Sequence, residues 1–391
     1  MVAASPRPAL RLAPAYIAVF AVLGVWLPYW PLWLEARGVS AKQVSWILTA
    51  GIWLRALAGP FWGNLADRRA AHRQLVFLLA LGSAALCALF TLDLGFAGIL
   101  LVSIPFTMLY FPMIALIDGL TISWTRRTAN DVRALDYGRL RLWGSLSFLV
   151  VSIAAGTFLE GRSLEWVIAL LLAGLAASAV AAAALPAPEN PQRATRLPLR
   201  ELLVRRDFLL LLAAAGLIQG SHGCYYAYGS IHWKNAGIEE GWIGWLWAEG
   251  VIAEVVLFIV APRLFRWRPT TLLMVGATSA LVRWILLAEF TDLGALVAVQ
   301  WMHGLSFGMT HLAAVSWITK NVSEEQTASA QALLAAMTAG VVLGLATLLC
   351  GELFDSYGGT TFYAMSAMAL FGLAAARVLH SATSTRTSAR L

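Results

Sequence analysis

The chain has 391 residues, of which 60% are hydrophobic and only 13% are charged. A soluble domain usually carries about 25% charged residues, so this composition excludes an ordinary soluble protein and points to lipid surroundings. The net charge of +7 does not indicate nucleic-acid binding, because the basic residues lie in short segments between apolar runs. The cysteines Cys87, Cys224 and Cys350 are isolated in apolar segments, which excludes a disulfide framework and a cysteine-based metal site.

Apolar runs of about 20 residues, the length needed to cross a bilayer, follow one another along the chain. The first run follows Arg7 and Arg11 without a small-residue cleavage pattern, so we expect it to be a retained helix. The loops are too short to fold as a soluble catalytic domain, and we therefore expect no enzyme. The sequence predicts an all-α membrane protein with twelve spans, near residues 14–34, 43–62, 75–93, 97–119, 140–159, 165–185, 208–232, 241–262, 271–290, 295–318, 328–350 and 360–380.

The basic residues are distributed unevenly across this pattern. Most of the 28 Lys and Arg residues lie at the termini or in loops on the same side as the termini. The exceptions are Arg37, Lys42, Arg162 and Lys234 in the opposite loops, and Arg55 and Arg283 within the runs. Because positive charge is retained on the cytoplasmic side, we expect both termini in the cytoplasm and the spans in a bacterial inner membrane.

A segment rich in Pro, Arg and Asn lies near the midpoint of the chain and is typical of a linker between two bundles. The predicted domains are an N-terminal six-helix bundle at residues 1–186, a cytoplasmic linker at 187–206 and a C-terminal six-helix bundle at 207–391.

The two halves also align with each other, as expected if they arose from one unit. Residues 24–55 align without a gap with residues 223–254, at an offset of 199 positions. The alignment places Arg55 opposite Glu254, two charges of opposite sign. The identical pairs are Gly24 and Gly223, Tyr29 and Tyr228, Gly38 and Gly237, Trp46 and Trp245, and Gly51 and Gly250.

Several segments resemble known transporters. The motif GNLADRR at residues 63–69 resembles the loop signature of major facilitators, although the usual continuation is replaced by AAHRQ. A more specific resemblance is to the phenylpropionate permease branch, which is related to the lactose and nucleoside proton symporters. The segments that carry it are LDYGRLRLWGS (135–145), QGSHGCYYAYGSIHW (219–233), GVIAEVVLF (250–258), VRW (282–284) and VQWMHGLSFGMTHLAA (299–314).

This resemblance implies the major facilitator fold, with two pseudo-symmetric six-helix bundles acting as a monomer. It implies proton symport of an aromatic monocarboxylate, with the proton gradient as the energy source and no bound cofactor. The expected partners are the small-molecule substrate, protons and membrane lipid.

Two predicted spans carry polar stripes at helical spacing. One stripe contains Gln219, His222, Tyr226 and Ser230, and the other contains Gln300, His303, Phe307 and His311. In major facilitators the corresponding helices line the cavity, so the resemblance assigns His222, Tyr226, Gln300, His303 and Phe307 to substrate binding and His311 to proton coupling. The alternative is that each histidine is a satisfied structural residue.

Charged residues within predicted spans are costly and are therefore functional candidates. We expect Glu254 to be the titrating carboxylate, with Arg283 or Arg55 as its cation. Glu254 and Arg283, together with a histidine of the second stripe, resemble the proton-coupling arrangement of the lactose permease. The alternative is a static buried ion pair. Glu249 lies about 140° from Glu254 around the helix and is expected to face a neighbouring helix.

Three further charged residues in the N-terminal half are candidates for particular roles. Asp118 is either a proton-coupling residue or a carboxylate paired with Arg139 or Arg141. Arg55 is predicted to bind the substrate carboxylate through its planar fork, and the alternative is a permanent pair with Asp118 or Glu254. Asp136 is predicted to cap the following helix.

The aromatic residues are the last candidates. Trp26, Tyr29, Trp30 and Tyr110 are predicted to form walls for a flat aromatic substrate. Trp33, Trp233 and Trp242 are predicted to lie in the belt at the outer interface.

The sequence as a whole predicts a proton-coupled symporter of a small aromatic or apolar carboxylate, similar to 3-phenylpropionate, working by alternating access. A proton-coupled sugar or nucleoside symporter and a drug/proton antiporter are the alternatives. A non-transporting sensor is not favoured, since the terminal segment SATSTRTSARL offers no signalling domain.

Overall fold

The computed structural model describes residues 8–128, 135–186 and 199–388, and every regular element in these ranges is helical. The predicted all-α class is therefore confirmed. The α-helices α1 to α16 are, in chain order, Ala9–Ala36, Ala41–Arg69, His72–Leu89, Phe96–Arg127, Tyr137–Leu159, Trp166–Ala183, Leu199–Leu203, Arg206–Gly220, Gly223–Asn235, Glu240–Leu264, Pro269–Glu289, Leu293–Gln300, Thr310–Asn321, Glu324–Ala335, Leu343–Tyr357 and Phe362–Ser388. Two π-helical segments, Gly304–Met309 and Ala336–Val342, and a 3₁₀ turn, Gly358–Thr361, interrupt the second half.

The helices are apolar enough to account for a multi-pass membrane protein. Within the described residues, 10 helical stretches are long and apolar enough to cross a membrane. One of them, Glu324–Thr383, is 60 residues long and covers the last two predicted runs. The predicted run near 295–318 is not among them; it consists of α12, a π-helical segment and α13.

The chain divides into two compact units, and α2 and α10 contribute to both. The first unit contains Met1–Val39, Trp53–Ala194 and Glu239–Ala248, and the second contains Ser40–Ile52, Thr195–Ile238 and Glu249–Leu391. The exchanged segments begin at residues 40 and 239, which correspond in the internal repeat. The predicted domain boundaries stay a prediction, and residues 187–198 of the predicted linker lie outside the described residues.

In the first unit, α1 packs against α4, α5 and α6. Trp26, Trp30 and Trp33 lie on one face of α1, and their rings stack in succession with centroid distances of 4.3 and 4.8 Å. Trp33 is 1% exposed and Trp233 is 0% exposed, so the predicted belt position is wrong for both. The helical spacing places Trp33 on the inward aromatic face of α1, and Trp233 packs against Tyr225.

In the second unit, the run predicted near 208–232 is two helices, since α8 ends at Gly220 and α9 begins at Gly223. A Cβ atom on Gly220 would collide with Val342, and one on Gly223 would collide with the backbone of Thr347. The residues at the break, Ser221 and His222, therefore lie close to the second π-helical segment and to α15.

The predicted cap of α5 is confirmed, since the Asp136 side chain accepts a hydrogen bond from the backbone N–H of Arg139 at 2.7 Å. We expect Asp136→Ala to lower the free energy of unfolding by about 1 kcal/mol, because that N–H loses its acceptor. The measurement is the apparent melting temperature of the purified protein in detergent. Asp136→Ser is the matched control and should retain most of the stability, whereas equal losses in both variants would contradict the capping role.

Candidate functional site

A guanidinium group buried in the second unit is the centre of the candidate site. Arg283 on α11 is 0% exposed. Its Nη2 donates to Gln300 Oε1 at 2.8 Å, and its Nη1 lies 2.9 Å from His303 Nδ1. Nη1 also lies 3.4 Å from Ser306 Oγ, while Nε has no hydrogen-bond partner among the described residues. These three partners lie at the end of α12, just before the first π-helical segment and within that segment.

Two aromatic rings enclose the same cation. The guanidinium carbon of Arg283 lies 4.6 Å from the ring centroid of Tyr225 and 4.7 Å from that of Trp284. The Tyr225 hydroxyl accepts a hydrogen bond from Gln300 Nε2 at 3.0 Å, which joins α9 to the same network. Such cation–π contacts contribute about 0.5–2 kcal/mol each and help to offset the cost of burying the charge.

His303 connects Arg283 with Glu254. Its Nε2 lies 2.8 Å from Glu254 Oε1, on the side of the ring opposite Arg283. An arginine can only donate, so Nδ1 of His303 must accept, and the single proton of the neutral ring then lies on Nε2. His303 therefore donates to the Glu254 carboxylate, and the guanidinium and the carboxylate are linked through a neutral imidazole rather than by direct contact.

A second histidine lies on the buried side of the network. His222 is 0% exposed, and its Nδ1 lies 3.1 Å from the carbonyl oxygen of Gln219. A carbonyl only accepts, so Nδ1 carries a proton, and Nε2 lies 3.2 Å from Ser306 Oγ. Ser306 thus joins His222 to the network around Arg283.

The network has a more accessible edge that is partly aromatic. The Glu254 side chain is 21% exposed, and Tyr226 and Phe307 are half-buried. The Phe307 ring stacks on His303 at 5.4 Å with an interplanar angle of 8°, and it also meets the His222 ring at 5.4 Å. The described residues thus place a buried charge, a carboxylate and aromatic surface side by side.

Local backbone geometry brings α10 against this region. Gly304 begins the π-helical segment, and a Cβ atom there would lie 2.7 Å from the carbonyl oxygen of Ala253. A Cβ on Gly308 would similarly collide with Leu257. These two glycines allow the close approach that places Glu254 within reach of His303, and π-helical turns are frequent at functional sites.

The first unit contains a separate carboxylate cluster. Asp118 Oδ1 accepts hydrogen bonds from the hydroxyls of Tyr16 at 2.6 Å and Tyr137 at 3.2 Å, and it lies 3.6 Å from Arg141 Nε. Arg141 in turn lies over the Phe20 ring at 4.1 Å. The pairing of Asp118 with Arg141 agrees with the structural alternative considered from the sequence, and its role in proton coupling stays a prediction.

Four of the other predicted residues belong to the first unit. Trp26, Tyr29, Trp30 and Tyr110 are buried in the first unit. The Tyr110 hydroxyl donates to the carbonyl of Val19 at 2.8 Å. The roles of all four in substrate binding stay predictions.

Arg55 and His311 are also placed without a test of their roles. The Arg55 guanidinium lies 4.3 Å from the Phe111 ring centroid, within the first unit. His311 follows the π-helical segment and is exposed.

Sequence reasoning did not select Ser306 or Trp284 as site residues, and it placed Tyr225 only among the deeper aromatic residues, some of which were expected to face the cavity. Ser306 is three positions after His303, so the polar stripe itself was the available signal. Tyr225 and Trp284 contribute ring faces, and the sequence offers no signal that separates such rings from ordinary packing.

Comparison with known proteins gives three kinds of match. The family model of the MFS_1-like family matches residues 9–365. The chain is 31% identical over 371 residues to a probable 3-phenylpropionic acid transporter of Escherichia coli, covering 92% of this chain and 94% of that protein. It is 28% identical over 352 residues to a maltose permease of Geobacillus stearothermophilus, covering 88% and 86%.

Solved structures agree on the fold. The nucleoside transporter NupG superposes with a TM-score of 0.76 at 17% identity, covering 96% of this chain and 99% of that one. A bacterial homologue of the human lysosomal transporter Spinster superposes with a TM-score of 0.70 at 14% identity, covering 96% of both chains. These likenesses support the major facilitator fold.

We expect Arg283→Lys to destabilise the protein by about 1–3 kcal/mol, because an ammonium cannot reproduce the fork that reaches Gln300 and His303. The measurement is the apparent melting temperature in detergent. The exposed Arg266 provides the matched control, and Arg266→Lys should have little effect. An unchanged melting temperature for Arg283→Lys would show that the fork is dispensable.

Proposed function

Because the chain belongs to the MFS_1-like family of membrane transporters, we propose that it carries a small aromatic or apolar monocarboxylate together with a proton. The observation that carries the proposal is the linkage of Arg283 to Glu254 through a neutral His303. The chain takes its energy from the proton gradient, works as a monomer by alternating access, and lies in the bacterial inner membrane with both termini in the cytoplasm.

Charge balance couples the proton to the substrate. With His303 neutral, the positive charge of Arg283 is balanced across the imidazole by the Glu254 carboxylate. Protonation of Glu254 removes that negative charge and leaves an uncompensated cation in low-dielectric surroundings, which is costly. An anionic substrate that accepts from His303 Nε2–H restores the balance, so the proton and the monoanion bind most favourably together.

The other groups around the carboxylate are compatible with this exchange. The titratable and charged groups that interact with Glu254 include Arg283, His303, His311 and Tyr225. Arg283 remains a cation held by Gln300 whichever anion is present. The Arg283 cation can thus be balanced either by the Glu254 carboxylate or by the carboxylate of the substrate.

The aromatic edge favours a substrate with an apolar ring. Tyr226 and Phe307 offer half-buried ring surface beside Glu254, and offset or edge-on ring contacts contribute about 0.5–1.5 kcal/mol each. The 31% identity to a probable 3-phenylpropionic acid transporter supports the same substrate class. We therefore propose 3-phenylpropionate or a close analogue as the substrate.

A proton-coupled sugar or nucleoside symporter is the second candidate. Gln300, Ser306 and His222 could hydrogen-bond hydroxyl groups, and the maltose permease at 28% identity favours this alternative. It is less favoured because these polar groups are already engaged with one another or with Arg283.

We expect purified protein in liposomes to accumulate labelled 3-phenylpropionate when the interior is alkaline, and to lose this accumulation on addition of a proton ionophore. Glu254→Gln should reduce gradient-driven accumulation about tenfold or more, because a permanent amide cannot exchange protons. The matched control is Glu249→Gln, the same substitution on α10 at a carboxylate that hydrogen-bonds to Trp301. Equal losses in the two variants, or accumulation without a gradient, would rule out coupling through Glu254.

A second assay separates binding from coupling. We expect Glu254→Gln to retain exchange of labelled for unlabelled substrate at equal pH, since the neutral amide mimics the protonated carboxyl. In competition, the isosteric uncharged 3-phenylpropionamide should inhibit far less than 3-phenylpropionate. Effective competition by maltose or uridine, with no effect of 3-phenylpropionate, would favour the second candidate.

A further inference from the structure

Two tyrosines at equivalent positions of the internal repeat make equivalent hydrogen bonds. The Tyr228 hydroxyl donates to the carbonyl of Ala41 at 2.7 Å. The Tyr29 hydroxyl lies 3.3 Å from the carbonyl of Glu240 and 2.7 Å from the carbonyl of Ser152. Both tyrosine side chains are 0% exposed.

The donors and the acceptors both correspond. The offset of 199 positions that aligns Tyr29 with Tyr228 also aligns Ala41 with Glu240. Ala41 and Glu240 are the first residues of α2 and α10, so each tyrosine binds the N-terminal end of a helix. A single coincidental contact would not reproduce both the donor and the acceptor positions of the repeat.

Each of these bonds joins residues of a single unit, at the beginning of a helix whose residues belong to both units. Ala41 belongs with Tyr228 to the second unit, while most of α2 belongs to the first. Glu240 belongs with Tyr29 to the first unit, while most of α10 belongs to the second. Each tyrosine therefore binds the first residue of a helix within its own unit, while most of that helix belongs to the other unit.

Glycines allow the same helix ends to pack closely. A Cβ atom on Gly351 would collide with Ser45 of α2 and would lie 3.0 Å from the Tyr228 hydroxyl. A Cβ on Gly244 of α10 would collide with the carbonyl of Ser152 and with the Tyr29 hydroxyl. The hydrogen bonds are thus formed inside dry, tight contacts, where a hydroxyl is poorly replaced by water.

We propose that Tyr29 and Tyr228 are a pair of latches that hold the N-terminal ends of α2 and α10, and that both latches release each time the outer side of the transporter opens. The assignment to the outer side follows from the predicted orientation, and the cycle is the alternating access proposed above. Tyr228 is the stronger latch, since its proton goes to one carbonyl, whereas that of Tyr29 is shared between Ser152 and Glu240.

The test uses a reporter cysteine at Thr49 of α2, which is 2% exposed and lies against α15, where its hydroxyl donates to the carbonyl of Gly344 at 3.2 Å. Intact cells that express Thr49→Cys are treated with a membrane-impermeant maleimide, and the chain without the reporter gives the blank. We expect Tyr228→Phe to raise the labelling rate about 2- to 10-fold, the shift that follows from losing one buried hydrogen bond. Tyr29→Phe should raise it by a smaller factor.

Ser366→Ala is the matched control. It removes another buried bond from a side chain to a backbone carbonyl, Ser366 Oγ to Leu281 at 2.9 Å, away from either latch. Its labelling rate should equal that of the reporter alone. Equal rates in all variants, including no labelling in any of them, or an increase in Ser366→Ala as large as that in Tyr228→Phe, would overturn the proposal. The assay needs no substrate, so failure of the uptake experiments and failure of the latch are separate results.

Discussion

Burial of the Arg283 guanidinium is the constraint on which the second unit depends. Placing a cation at mid-membrane costs about 2.5–3.5 kcal/mol on insertion scales, and hydrogen bonds to a charged group return about 1.5–3 kcal/mol each. Gln300 and His303 supply two such bonds, and the Tyr225 and Trp284 rings add their faces. The burial is therefore sustainable only while residues from α9, α11, α12 and the π-helical segment stay together.

Two of the helical irregularities in the second unit contribute residues to this network. The break between α8 and α9 places His222 at a helix end, where its Nδ1 reaches two backbone carbonyls. The π-helical segment Gly304–Met309 carries Ser306, which accepts from the Arg283 fork and also bonds to His222. A regular α-helix through either place would retain more internal backbone bonds, so the departures are offset by the polar contacts that they permit.

The two units contain different ionisable groups, with different hydrogen-bond partners, although their sequences repeat. In the first unit the Asp118 carboxylate receives hydroxyl hydrogen bonds from Tyr16 and Tyr137. In the second unit a buried cation is linked through histidine to Glu254. Both halves of the repeat retain a tyrosine, Tyr29 or Tyr228, whose hydroxyl bonds to a backbone carbonyl at the beginning of a helix. The repeat thus preserves these anchoring bonds, while the ionisable groups differ between the two units.

The sequence alone determined the fold class, the apolar spans, the cap at Asp136 and the identity of the charged and polar candidates, because these depend on hydrophobic length and local hydrogen bonding. Arg283, His303 and Glu254 were selected in this way, since an ionisable residue within an apolar run is visible without a structure. Only the tertiary structure decided which of these side chains contact each other. A direct Arg283–Glu254 pair was as compatible with the sequence as a bridge through His303, and only the packing of α10 on Gly304 and Gly308 places the imidazole between the two charges. Side chains from helices distant in sequence meet only after packing, so their partners and tautomers cannot be obtained from periodicity.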